Sequence, residues 1–567
     1  MFADARIVRT GTSLEADICI IGAGAAGITL AREYIDSQFR VAVLESGDFE
    51  YDAKTQELYD GSIIGLPYFP LAAARLRYFG GTTNHWGGVC RPLADADFEP
   101  RTGIRFTDWP ISRADLEPFY GPAADICQVP TKEWNLDTWV RRDRFSALPL
   151  DSNRIVTRVV QLVPESARSF GKRYRSELRQ ARNVTVYLHA NVTEVQTDRA
   201  GTSVTSVRVA TLSGKRFFVR ARLFVLAVGG IENPRLLLAS NERWSNGIGN
   251  QNDLVGRFFS EHPRFVAGRI VPANPELSVG FYEPHNLGDA RIRAYLATSK
   301  EIQLAEGLLD TQIRLTPVYA DPFTKAAESE EVAVLRAALD SSSDEPLPDL
   351  GQHLIKVLAD LSSWEKFCIP GAPLPIPYPE VIGELAQSTQ VEAEKLIPEL
   401  LGDIAAAAYL EYFGAPVKSL IVTTRIEQAP NPDSRVQLIA ERDELGMRRV
   451  ALDWQLSDID WRNMQRALQI LGTEVGRTGL GRLKILYGED EPNWPEDLAG
   501  GWHLIGTTRM HDDPKRGVVD RNCRVHGMSN LFVAGSSVFP TAGSGTPTLT
   551  LVALTLRLAK HLQGVLR

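Results

Sequence analysis

One histidine has neighbours that would let it do chemistry. His503 lies in WHLIGTT, beside a Gly-Thr turn at Gly506 and Thr507. Downstream, the strand-like NLFVAGSS ends at the small residues Gly535 and Ser536, then runs through SVFPTAGSGTPT into an apolar helix. An imidazole titrates near neutral pH, so it can accept a proton and later release it. Packing alone is the competing reading of such a residue.

The second chemistry-bearing segment is DICIIGAGAAGITLAREY, from Asp17. A short apolar run reads as a buried parallel strand. Gly22, Gly24 and Gly27 follow in GxGxxG spacing, with Ala25 and Ala26 between them opening a helix. This order gives a tight turn, close approach of a pyrophosphate to the backbone, and a helix N-terminus facing the phosphates. A second strand, VAVLE, ends in Glu45, where an acid would meet a ribose hydroxyl. Dinucleotide clasp and base together suggest a flavin site with a base beside it.

The clasp alone does not separate NAD from FAD. RYFGGTTNHWGG (Arg77 to Gly88), AVGGIENPRLLLAS (Ala227 to Ser240), WHLIGTTRM and NLFVAGSSVFPT do so by resemblance. In kind and order they resemble the glucose–methanol–choline (GMC) oxidoreductases, most closely a bacterial branch similar to pyranose oxidases and glycoside 3-oxidases or dehydrogenases. The resemblance implies FAD and alcohol oxidation, with a hydride passing to flavin N5 and His503 as base. It places Gly80, Gly81, Thr82, Asn84, His85, Trp86 and Gly87 at the flavin, together with Val192, Ala227, Gly229, Gly535, Ser536, Pro547 and Thr548. A similar Thr-His-Trp run carries a covalent flavin bond in pyranose oxidases. That makes a bond through His85 possible here, with non-covalent FAD slightly favoured.

The sequence departs from the family at one position. Relatives usually carry His or Asn just before the last helix, whereas this chain has Ser544-Gly545-Thr546-Pro547-Thr548. Threonine donates or accepts a hydrogen bond but does not titrate near neutral pH. Thr546, with Ser544, is expected to orient a substrate hydroxyl while His503 remains the one obvious base.

The implied reaction oxidises a secondary alcohol of a sugar, glycoside or polyol to a ketone, with reoxidation by O2 or another acceptor. Alternatives at this stage are a non-sugar alcohol or aminoglycoside intermediate, an FAD-containing lyase, and a non-catalytic flavoprotein subunit.

The elements that must position these residues imply an α/β fold. A discontinuous Rossmann-like FAD-binding domain is expected at 1–130, 185–265 and 495–567. A substrate domain with an antiparallel β-sheet is expected at 131–184, 266–320 and 411–494, with a helical insert at 321–410. The 567 residues are 44% hydrophobic and 23% charged, as in globular enzymes. A net charge of −8 argues against nucleic acid or an anionic membrane as partner. No apolar run is read as approaching the ~20 residues of a membrane span. Five scattered cysteines without a CxxC pair read as reduced thiols of a cytoplasmic protein. No His, Cys or carboxylate set has metal-ligand spacing, so no metal is expected.

Overall fold

The structure, a computed structural model, describes residues 1–319, 417–488 and 494–567. The expected helical insert at 321–410 lies outside these residues. The nucleotide-binding half is a six-stranded parallel sheet. Its strands run Phe2–Asp4, Val184–Leu188, Val41–Leu44, Ile18–Ile21, Leu223–Leu226, Leu531–Val533. Every residue of Ile18–Ile21, Val41–Leu44 and Leu223–Leu226 is buried. Continuous apolar runs are what a parallel sheet covered on both faces requires. The helices Ala25–Arg32 and Thr548–Leu566 pack against this sheet and share one core with it.

The last helix corrects one reading. Thr548–Leu566 is long and apolar enough, by length and composition, to cross a membrane. Here Leu549, Val552, Leu556, Leu558 and Leu562 are buried in the nucleotide core instead.

The second large sheet is antiparallel and has eight strands. Its order is Gly481–Ile485, Arg264–Pro272, Val417–Ile426, Thr311–Tyr319, Ala290–Thr298, Ile155–Leu162, Val89–Cys90, with His285–Leu287 beside Ala290–Thr298. The helix Asp458–Arg477 covers it through Trp461, Met464, Leu468 and Leu471. That helix starts at a capping box in which Ser457 and Asp460 satisfy each other's backbone N–H groups.

Alternation predicts strands well but not their partners. The stretch from 184 to 226 reads as one meander, yet its strands divide between two sheets. Val184–Leu188 and Leu223–Leu226 enter the parallel sheet, while Asn191–Thr197, Val204–Ala210 and Arg216–Arg220 form a separate sheet with Ser13–Glu15. The expected substrate segment 131–184 is divided too. Ile155–Leu162 lies in the eight-stranded sheet, but the helix Phe170–Gln180 sends Phe170, Tyr174 and Leu178 into the nucleotide core. Likewise Arg435–Arg442 and Arg448–Asp453 pair with Gly61–Ile63 in a three-stranded sheet rather than joining the eight-stranded one.

Candidate active site

The carboxyl ends of the parallel strands form a cradle. Gly22 has φ 98°, and a Cβ there would lie 2.7 Å from the carbonyl oxygen of Ala227. A Cβ at Gly27 would strike the carbonyl of Gly22, so the helix lies directly on the turn. Gly24, Gly229 and Gly535 behave differently, because a Cβ at any of them meets nothing within 4 Å. These three follow the strands Ile18–Ile21, Leu223–Leu226 and Leu531–Val533, which are neighbours in the sheet. Open space bordered by glycines, at a helix N-terminus beyond the strand ends, suits a dinucleotide phosphate.

Glu45 is 5% exposed, and its carboxylate accepts the N–H groups of Ala23 (2.9 Å) and Gly47 (3.0 Å). It therefore braces the glycine turn and keeps lone pairs for a ribose. Burial pushes its pKa up despite those donors. Ala26 is buried under the same turn. The cradle thus fits FAD.

The GGTTNHWGG loop lies over the clasp. The Gly80 N–H donates to Ala23 O at 2.9 Å, and a Cβ at Gly81 would come within 3.1 Å of Gly24 Cα. Not every residue of the loop reaches the cradle as expected. Asn84 donates to Phe79 O (3.0 Å) and accepts from the Ser169 hydroxyl (2.5 Å). The Trp86 indole donates to Arg168 O at 2.8 Å. These two side chains tie the loop to the 168–180 region because their polar groups find partners there. Thr82 Oγ1 accepts the N–H of Leu76 at 3.4 Å, Gly87 is exposed, and Val192 packs in the nucleotide core. Ser536 donates to Leu504 O at 2.7 Å, joining the strand end to the His503 segment. Pro547 and Thr548 start the last helix.

His85 stacks on Trp502, with ring centroids 5.9 Å apart and planes 17° from parallel. The flavin loop and the histidine loop therefore meet. Trp502 has φ 61°, a conformation that bulky residues avoid. Glu261 holds the turn there, accepting Gly501 N–H at 2.8 Å and His503 N–H at 2.9 Å. Glu261 also accepts the His262 N–H (2.8 Å) and the Tyr68 hydroxyl. Burial raises its pKa to about 7 against these four donors.

His503 has an unforeseen partner. Its Nδ1 lies 2.7 Å from Nδ1 of His262, and the two rings are nearly perpendicular at 87°. His262 is 0% exposed, and its Nε2 lies 2.5 Å from Gly543 O. Burial, His262, Arg425 and Arg264, in that order, hold the His503 pKa well below that of a free imidazole. The sequence reading missed Glu261, His262 and Tyr68 as site residues. The available signal was a Glu-His pair inside the phenylalanine-rich VGRFFSEHPRF.

The loop before the last helix is anchored through its polar groups. Thr541 accepts from the Trp109 indole at 2.6 Å, and Glu427 accepts the Gly543 N–H at 2.9 Å. The buried Ser544 hydroxyl donates to Asp310 at 2.5 Å, and Asp310 is ion-paired with Arg158. Ser544 therefore anchors the loop through its hydroxyl proton. Thr546 gives its hydroxyl proton to Val89 O at 2.5 Å, which leaves it only as an acceptor.

A dinucleotide cradle with a buried histidine pair beside the loop that covers it suits a nucleotide-dependent oxidoreductase. The profile described as "FAD dependent oxidoreductase" matches residues 17–241, and that described as "GMC oxidoreductase" matches residues 430–555. The chain is 24% identical to a 6'''-hydroxyparomomycin C oxidase of Streptomyces lividus, over 96% of this chain and 92% of that protein. It is 22% identical to a 2-methyl-1,2-propanediol dehydrogenase of Mycolicibacterium austroafricanum, over 98% and 96%. It is 25% identical to a C-glycoside 3-oxidase of Microbacterium trichothecenolyticum, over 88% and 76%. In fold it is similar to pyridoxine 4-oxidase from Mesorbium loti, with TM-score 0.53, 17% identity, and coverage of 97% of this chain and 99% of that one. The chain belongs to the GMC oxidoreductases and is an FAD-dependent enzyme acting on CH–OH groups.

Proposed function

We propose that the protein oxidises a secondary alcohol of a sugar, glycoside or related polyol to the ketone, with Nε2 of His503 as the base. The observation that carries this reading is that the segment bearing His503 is joined to the cradle on both sides, with Trp502 stacked on His85 and Leu504 O bound by the Ser536 hydroxyl. FAD, when bound, supplies the hydride acceptor at N5 and passes the electrons to O2 or another acceptor. Everything else falls to the chain. A neutral imidazole takes the hydroxyl proton, and Glu261 keeps the His503 backbone in place through its N–H. Thr546, with its own proton on Val89, accepts a hydrogen bond from substrate rather than donating one.

The C-glycoside 3-oxidase among the relatives supports a sugar-like substrate. The paromomycin-type relative, aligned over 96% of this chain, favours an aminoglycoside intermediate as second reading. FAD is held without a covalent bond, with His85 kept flat against Trp502. Among the described residues, Cys19, Cys90, Cys127 and Cys523 are buried free thiols, which supports a cytoplasmic setting.

Anaerobic titration with sugars, glycosides and aminoglycosides tests the reading by flavin bleaching. Bleaching by a sugar or glycoside is the expected result, and readmitted air then separates oxidase from dehydrogenase. No bleaching by any of them, in a protein whose FAD dithionite still reduces, would overturn it. Acid precipitation should leave the yellow colour in the supernatant.

A further inference from the structure

We infer that His262 is the positioning residue of His503: it accepts the Nδ1–H of the base and so fixes the tautomer in which Nε2 carries a lone pair. The inference rests on the reading of His503 as base and adds how that base is prepared.

The argument runs through hydrogen-bond polarity. Gly543 O lies 2.5 Å from Nε2 of His262, and a carbonyl can only accept, so that nitrogen carries a proton. The Gly543 peptide is pinned from its other side by Glu427, which takes its N–H at 2.9 Å. A neutral His262 protonated at Nε2 has only a lone pair at Nδ1. The Nδ1 of His503 lies 2.7 Å from that lone pair and therefore must be the donor. One imidazole proton is then spent at Nδ1, and Nε2 of His503 is left bare.

The other possibility, a doubly protonated His262, would place a cation in a site with 0% exposure. Burial, with Arg425 adding to it, lowers its pKa to about 3. Asp310 acts on His262 in the opposite sense without outweighing burial, and Glu261 gives its oxygens to backbone N–H groups and the Tyr68 hydroxyl. When His503 accepts a hydroxyl proton, an O–H bond breaks and an Nε2–H bond forms. The imidazolium keeps its Nδ1–H on His262, which carries part of the charge.

The partner imidazole comes from a segment 241 residues away in sequence and lies on the Nδ1 side of His503, while Thr546, before the last helix, contributes no titratable group.

The experiment uses FAD-loaded protein labelled with 15N-histidine, with His503 resonances assigned by comparison with His503→Gln. The expected spectrum shows a protonated Nδ1 and an unprotonated Nε2 on His503. His262→Leu, which offers no acceptor, should lower the anaerobic flavin-reduction rate by ~10²–10⁴-fold at unchanged FAD content, the scale of a wrong-tautomer defect. His262→Gln, whose amide has both an acceptor and a donor, should recover at least about tenfold of that loss. An Nε2–H tautomer in the unmodified protein would overturn the inference, as would a His262→Leu enzyme that reduces flavin at the original rate. The spectrum needs no variant at position 262, so a misfolded His262→Leu does not shield the inference. Failure of the base reading shows separately, as a His503→Gln enzyme that still bleaches with substrate.

Discussion

A histidine works as a base only if it meets the substrate unprotonated, and the surroundings of His503 secure that. Its pKa lies well below 6.5 because burial, then His262, Arg425 and Arg264, disfavour the cation. The sign follows: the base is fully available above 6.5 and is lost only as pH falls through the lowered folded value. kcat/KM should therefore be level across neutral pH and decline on the acid side, and a limb centred at or above pH 7 would contradict this. Replacing His503 by Gln should slow flavin reduction by ~10²–10⁴-fold, with FAD content unchanged. Ser544→Ala should behave oppositely. It removes a buried hydrogen bond to Asp310, so a melting curve should show a loss of about 1–3 kcal/mol while kcat/KM changes little. His503 was legible in the sequence because a Trp-His step beside a Gly-Thr turn is a local pattern. Its partner was not, because no spacing rule links residues 262 and 503.

At the scale of elements, the nucleotide strands were readable as short apolar runs, and their glycine turns as the places where backbone must pass close to backbone. Partnership between strands was not readable. Alternation marks the buried face of a strand but not the sheet that covers it, which is why the helix Phe170–Gln180 and the Arg435–Asp453 hairpin were assigned to the wrong layer. A buried ion network holds that hairpin to the helix Gly229–Ala239. Arg235 bonds to Asp443 (2.7 Å), Glu232 (3.1 Å), Arg448 O (2.9 Å) and Leu58 O (2.9 Å). Arg235→Met leaves the buried Asp443 without its cation, while Glu232 keeps Arg75 and Arg77, and chemical denaturation should report a loss of about 3–5 kcal/mol. Arg235→Lys should recover little, since an ammonium cannot reach four acceptors in a plane.

For the whole molecule, the cradle is assembled from chain segments that meet only in the folded state. A ligand that binds the native state alone stabilises it by mass action, about 2.7 kcal/mol at a hundredfold excess over Kd. Stripping FAD should lower Tm, and adding FAD back should raise it in a concentration-dependent way. A Tm indifferent to FAD would mean that the native cradle does not bind it. The edge strand Leu531–Val533 lies against Leu223–Leu226 and is followed by the buried helix Thr548–Leu566. That placement sets a timetable for biosynthesis. The outermost strand of the parallel sheet and the loops carrying His503 and Thr546 leave the ribosome roughly 500 residues after the glycine clasp, about 25–100 s at ~5–20 residues per second. Throughout that interval the nascent chain carries an unsealed sheet edge and an incomplete cofactor seat. Flavin loading is thus a late event in the life of each molecule, and the growing chain depends on whatever shields that edge until it closes.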